Sequence, residues 1–431
     1  MLRTTITSIL RRIIKTPAIR VLMVCGLFWL IAYGYFQHRL WRDPHSAFFR
    51  DRHVYDLKYS LQREREARHF ISRYNSLTDV PDVIKAGPNP AICAVFVTVK
   101  RGLDDYFEPS IGSLLEGLDP RERRALQLNV VFADTDPTKH PSWDQKWLHR
   151  LTDSAGTYNV TDEQFERVSQ AEKDRNFYVK GVFDYTYALA TCQASGAPYT
   201  IVFEDDIILA QGWMAKTLKA LSTINNTLQN SDNWIYLRLF YTETSLGWDS
   251  SDFAYRNMPI IFALAILLAL AIMSTIRRSK VVSPYLDYPT IGVIGLIFVP
   301  GVIALIYMTG KYNLMPLRGI VEMNSYGCCT QGLLFPQNQV DGLLGYLRKR
   351  EHGQTDSMIE EYAGQSHLTR YALAPQQLQH VGLQSSRDND EITTKSTWAF
   401  WFEENDPALL RKEHEELLGD EDVTAMLDGH G

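Results

Sequence analysis

The sequence predicts an α/β protein: a doubly wound sheet split by an inserted transmembrane helical hairpin, behind an N-terminal transmembrane anchor. Three observations carry that prediction. Short apolar, β-branched runs alternate with helix-period segments between about residues 91 and 240. Three longer apolar runs fall at 21–37, 258–276 and 289–309. One short apolar run opens directly into three consecutive carboxylates, Glu204, Asp205 and Asp206. At 431 residues and 45% hydrophobic content the chain supplies a large core. Its 44 Lys and Arg against 50 Asp and Glu exclude a general nucleic-acid binder, which needs a basic surplus.

The apolar runs set the expected topology. Residues 1–20 carry five basic residues and no acid, and read as a cytosolic tail. Val21 to Phe36 runs without a charge and reaches about 24 Å as a helix. Bulky Trp29, Tyr33, Tyr35 and Phe36 stand where a signal-peptidase site needs small residues, so 21–37 reads as an uncleaved anchor. Met258–Ile276 and Pro289–Thr309 each reach the ~20 residues that span hydrocarbon. Arg277, Arg278 and Lys280 lie between them. With both basic clusters in the cytosol, residues 37–257 and 310–431 share the lumenal side. Three spans with no intramembrane charge argue against a transporter. Cys93 and Cys192 would then lie where disulfides persist, and can pair. Adjacent Cys328 and Cys329 read equally as a vicinal bridge or as two buried thiols.

Within the lumenal part, residues 38–88 are charged and helical in pattern, and read as a stem or surface helix. A first domain segment runs over 89–257. Ala91–Val99, Leu128–Ala133, Tyr199–Phe203 and Trp234–Phe240 read as buried strands. Pro109–Gln127, Val179–Ala194 and Trp213–Ile224 read as helices between them, which implies a largely parallel sheet. After the hairpin at 258–309, a second segment spans 310–402. It has extended, Gly-rich pieces over Gly319–Phe335 and helices at Gln339–Glu351 and Thr355–Ala363. Residues 403–431 form an acidic tail, read as a solvated terminus.

The chemistry concentrates in Tyr199-Thr-Ile-Val-Phe-Glu-Asp-Asp-Ile-Ile-Leu209. Apolar flanks place the acids at the carboxyl edge of the sheet, where open α/β folds bind ligands. Adjacent buried carboxylates repel, and the simplest compensation is a divalent cation shared with an anionic ligand. Oxygen ligands select magnesium or manganese. The plainer alternative is an acidic loop or helix cap.

This stretch resembles the short acidic motif of GT-A glycosyltransferases in its Glu-Asp-Asp form. Tyr178–Ala190 before it and Gln379-His-Val-Gly-Leu-Gln-Ser-Ser386 after it extend the likeness to the N-acetylglucosaminyltransferase-IV-like branch. The three-span plan is closest to the Golgi transferases that add N-acetylgalactosamine to the mannose core of GPI anchors. The resemblance implies a GT-A-type doubly wound mixed sheet and an inverting, UDP-sugar-dependent enzyme of the Golgi membrane. It implies UDP-N-acetylgalactosamine as donor, GPI-anchored proteins or GPI glycolipid as acceptor, and a divalent cation, manganese.

The resemblance also implies roles. Asp206 would bind the metal, and Glu204 and Asp205 the ribose or a metal-bound water. His380 would meet the metal or diphosphate, although it also reads as an ordinary loop histidine. Thr98 and Arg101, after the first strand, would lie by the nucleotide, and Ser385 and Ser386 would donate to phosphate. Gln331, Gly332 and Leu333 would belong to a donor-sugar wall that includes the Gly-Cys-Cys segment, which also reads as a plain turn. Asp356 is the first candidate for the base, against a simple helix-capping role. Glu322 and Glu243 are the reserves. Two alternatives remain: an N-glycan N-acetylglucosaminyltransferase, and a non-catalytic membrane scaffold with a degenerate transferase domain.

Overall fold

A computed structural model describes residues 16–76, 83–102, 106–227, 233–324, 328–382 and 397–429. The chain divides into two compact units. One comprises residues up to 54 together with Glu243–Pro316; the other comprises Tyr55–Thr242 and the chain from Leu317 onward.

The first unit holds three helices long and apolar enough to cross a membrane: Pro17–Arg39, Met258–Ile276 and Tyr288–Met308. Their outer surfaces expose Leu, Ile and Phe side chains, as lipid-facing helices do. The rings of Phe28 and Phe298 meet edge-on at 5.4 Å, joining the first helix to the third. The third helix is not uniform. Ile294–Phe298 forms a wider π turn before Val299–Met308 resumes α geometry. Pro300 accounts for it, since its ring crowds the carbonyl four residues back and it has no N–H to donate.

Among its described residues the second unit has ten strands. In chain order they are β1 (Ile92–Thr98), β2 (Leu126–Phe132), β3 (Ser154–Gly156), β4 (Tyr199–Glu204) and β5 (Ile207–Leu209). Then follow β6 (Trp234–Arg238), β7 (Gly319–Glu322), β8 (Leu333–Pro336), β9 (Thr369–Ala374) and β10 (Leu378–His380). Eight form one mixed sheet in the order β3-β2-β1-β4-β8-β6-β9-β7, while β5 and β10 pair separately as an antiparallel ribbon. β1, β2 and β4 run parallel, with Val97 opposite Glu204 and Thr98 opposite Phe132. β8 enters antiparallel between β4 and β6. The sheet is therefore mixed and doubly wound, and strands from both sides of the membrane hairpin interleave at its centre. Apolar side chains cover both faces: Phe96, Leu128, Ile201 and Leu334 on one, Val95, Val202, Leu333 and Phe335 on the other.

Several elements differ from expectation. The helix expected over Pro109–Gln127 is two, Phe107–Leu115 and Pro120–Ala125. Asp119 starts the second with a reciprocal capping box to Glu122, ahead of Pro120 at its first position. β2 begins directly afterwards. The expected stem or surface helix is Tyr59–Ser76, and one face of it is buried through Tyr59, Arg63, Ala67 and Ile71. Arg63 reaches Glu66, Glu116 and the Ser113 carbonyl, which compensates its burial. The expected solvated tail instead forms helices Pro407–Leu418 and Glu421–Leu427 against Trp213–Thr227. Its acids have partners: Lys216 pairs with Glu413, and Lys219 with Asp420 and Asp422, all at 2.8 Å. Both cysteine pairs are bridged, Cys93–Cys192 and Cys328–Cys329.

Candidate active site

Strand direction gathers the site. The carboxyl ends of β1, β4 and β6 and the amino end of β8 lie on one edge of the sheet. That edge receives Thr98, Glu204, Arg238 and the segment before Leu333. The ribbon delivers His380 opposite Ile207, one residue after Asp206. The Val381 N–H donates to the Asp206 carbonyl at 2.8 Å, which closes the ribbon over the acids. Beneath them, Ser110 Oγ donates to the Asp205 carbonyl at 2.8 Å and accepts from the Ile207 N–H at 3.1 Å. Residues that follow one strand and precede another thus have a rigid backbone.

The three carboxylates have different surroundings. Asp205 is buried and accepts from Thr98 Oγ1 at 2.7 Å, the Val99 N–H at 3.3 Å and Arg101 Nε at 3.1 Å. Asp206, also buried, lies 3.0 Å from Arg101 Nη2 and 3.1 Å from His380 Nε2, both at Oδ2. Its other oxygen, Oδ1, is buried without a hydrogen-bond partner among the described residues. Glu204 accepts from Thr330 Oγ1. Burial pushes the Asp205 carboxyl up, against the pull of Arg101. For Asp206 burial also pushes up, but His380 and Arg101 outweigh it and hold the group ionised well below the usual range. Burial opposes charge on His380, yet Asp206 raises its pKa. One guanidinium therefore serves two of the three acids, and the expectation that a metal alone compensates them is amended: Arg101 supplies part of the charge.

The residues still fit a divalent cation. Ligand atoms of Glu204, Asp206 and His380 lie within 4.8 Å of one another. Two carboxylates and an imidazole can ligate a divalent cation, and Asp206 Oδ1 is a buried acceptor with no partner among the described residues. Gly382 makes room beside them, since a Cβ there would sit 2.2 Å from Asp206 Oδ2.

Asp356 lies in the first turn of helix Thr355–Gln365 and does not act as its N-cap; Gln354 holds that position. Asp356 accepts from the Cys329 N–H at 3.2 Å, and the vicinal disulfide thereby contacts the candidate base. Buried Arg238 supports the same segment, donating to the Cys328 carbonyl at 2.7 Å while pairing with Glu360 at 3.2 Å, one helical turn beyond Asp356.

The other expected residues are placed as follows. Thr98 is turned onto Asp205, and Arg101 onto both aspartates. Gln331 is buried with an unpartnered Oε1. Gly332 takes φ +71°, and a Cβ there would meet Leu378 at 2.6 Å, so only glycine fits. Leu333 is a core residue of β8, opposite Val202, which gives it a packing role. Glu322 is exposed on edge strand β7, opposite Tyr371, with no hydrogen bond to the acids among the described residues. Glu243 is buried in a short turn of the first unit. Ser385 and Ser386 lie outside the described residues. Sequence reasoning missed Thr330, Arg238, Ser110 and His140. Thr330 stood inside the quoted Gly-Cys-Cys segment; His140, 2.9 Å from Thr98 Oγ1, carried no local signal.

A doubly wound sheet with an acid, acid and histidine cluster at its carboxyl edge has its polar groups where open α/β folds bind ligands. A family model described as "GPI-N-acetylgalactosamine transferase PGAP4" matches residues 92–379, well over half of the chain, and the chain belongs to that family. By that description the family is one of glycosyltransferases, and among the described residues the chain carries three candidate membrane-spanning helices. The chain is also similar to mouse alpha-1,3-mannosyl-glycoprotein 4-beta-N-acetylglucosaminyltransferase B, at 23% identity over 207 residues. That alignment takes in 45% of this chain and 36% of the relative, so the chain spans about a third of the length of the curated relative it matches.

Proposed function

We propose that this chain transfers N-acetylgalactosamine from UDP-N-acetylgalactosamine to the mannose core of GPI, as glycolipid or on GPI-anchored proteins. The observation that carries the reading is the convergence of Glu204, Asp206 and His380 at the sheet edge, in a chain of this family. Asp206, Glu204 and His380 would hold a divalent cation, manganese by donor type. A cation held there supplies positive charge to the leaving diphosphate. Asp356 accepts the proton of the acceptor hydroxyl, whose oxygen attacks the anomeric carbon on the face opposite UDP. The configuration inverts, and no covalent enzyme intermediate forms. The two basic clusters favour a cytosolic N-terminus and a lumenal transferase unit, in the Golgi membrane.

The test is transfer by the purified full chain in detergent, offered a panel of UDP sugars with a GPI-anchored acceptor. Incorporation of N-acetylgalactosamine is expected, and Asp206→Asn should abolish it. Incorporation of N-acetylglucosamine instead, favoured by the mouse relative, would overturn the donor assignment. No transfer from any UDP sugar would favour the scaffold reading.

A further inference from the structure

Arg101 occupies an unusual position for a residue beside a candidate cation site. Its Nη2 lies 3.0 Å from Asp206 Oδ2, the oxygen that His380 Nε2 also approaches at 3.1 Å. A divalent cation bound by Asp206 and His380 would lie within a few ångströms of that guanidinium. Like charges that close repel strongly in a partly dry site. The arm is also held elsewhere: Nε donates to Asp205 Oδ1 at 3.1 Å, and Nη2 donates to the same oxygen.

Asp205 is itself fixed from behind. His140 Nδ1 accepts from the Ser142 N–H at 3.1 Å, so its proton sits on Nε2. That Nε2–H donates to Thr98 Oγ1 at 2.9 Å, which leaves the Thr98 hydroxyl proton for Asp205 Oδ2 at 2.7 Å. Oδ2 is thereby committed to Thr98 and the Val99 N–H, and Oδ1 faces Arg101.

We propose that Arg101 is a built-in counter-cation that competes with the divalent cation for Asp206. Asp205 is its pivot. Arg101 releases Asp206 while keeping Asp205, and turns its freed arm to the donor diphosphate, the anion that arrives with the cation. Cation and nucleotide consequently bind as a pair, and the cation alone binds poorly. Arg101 is a donor-binding residue in this scheme, and Asp205 is the positioning residue that acts through it. The proposal rests on the donor reading above.

The experiment titrates Mn2+ into the full chain in detergent and follows free Mn2+ by electron paramagnetic resonance, with and without UDP. Arg101→Gln and Arg101→Met remove the charge by two routes, with melting temperature as the check on folding, so that one misfolded variant does not decide the outcome. Both should bind Mn2+ alone about tenfold more tightly than the unaltered chain, and UDP should add little further. Arg101→Lys should restore weak binding alone and the gain from UDP. Folded neutral variants that bind Mn2+ no more tightly, or that keep the full gain from UDP, would overturn the proposal and leave the donor reading intact. An unaltered chain that binds neither Mn2+ nor UDP would overturn the donor reading, and the proposal with it.

Discussion

The backbone N–H of Cys329 donates to the Asp356 carboxylate at 3.2 Å, tying the vicinal disulfide to the helix that presents the candidate base. The disulfide segment is in turn held by buried Arg238 through the Cys328 carbonyl. Asp356 is therefore oriented in part by backbone donors. If it is the base, Asp356→Asn should lower kcat by about 10²–10⁴-fold with the Kd for UDP unchanged. Steady-state transfer and calorimetry together check this. An Asp356→Asn enzyme of normal kcat would take the role of base away from Asp356.

Gly382 separates a role in cation binding from a role in folding. A Cβ at that position would lie 2.2 Å from Asp206 Oδ2, and backbone donation by Val381 to the Asp206 carbonyl limits any retreat. Gly382→Ala should weaken Mn2+ binding by at least about tenfold, the size of a typical coupling effect, with little change in melting temperature. A variant that melts early instead would show that the glycine serves packing alone.

Gly332 should behave in the opposite way. Its φ of +71° and the 2.6 Å approach of a Cβ to Leu378 add backbone strain to overpacking. Gly332→Ala should cost about 1–3 kcal/mol of stability, read as a lower melting temperature. Unchanged melting would mean that β8 and β10 yield more easily than their burial suggests.

His414 tests the C-terminal helices. Its Nε2 lies 2.9 Å from Glu122 Oε2, and both side chains are buried. Glu122 also accepts from the Asp119 N–H in the capping box. His414→Ala would leave that carboxylate short of a partner, at a cost of about 1–3 kcal/mol. Thermal melting of the variant against the unaltered chain checks it. No loss would mean that water reaches Glu122 freely.

Much of this was legible in the sequence because it is local. Tyr199–Phe203 is an apolar strand that must end where Glu204 begins, and that boundary locates the carboxyl edge. The membrane spans announce themselves by length alone. What was hidden depends on distant pairing. Leu333–Pro336 is four residues long, follows the hairpin, and gives no sign that it threads between β4 and β6. Arg101 read as a neighbour of the nucleotide; only the fold shows it turned onto Asp205 and Asp206. The acidic terminus read as solvated because Lys216 and Lys219, its partners, lie some two hundred residues earlier in a helix of mixed pattern. The burial of Arg63 was hidden for the same reason: its compensation comes partly from Glu116, at the end of another helix.

The central claim is that Glu204, Asp206 and His380 hold a divalent cation alongside a UDP sugar. Anomalous diffraction at the manganese edge, from crystals of the chain grown with Mn2+ and UDP, tests it most directly. One peak is expected in contact with all three side chains, with Arg101 withdrawn from Asp206. A fully bound UDP with no peak there, and Arg101 still seated on Asp206, would contradict it.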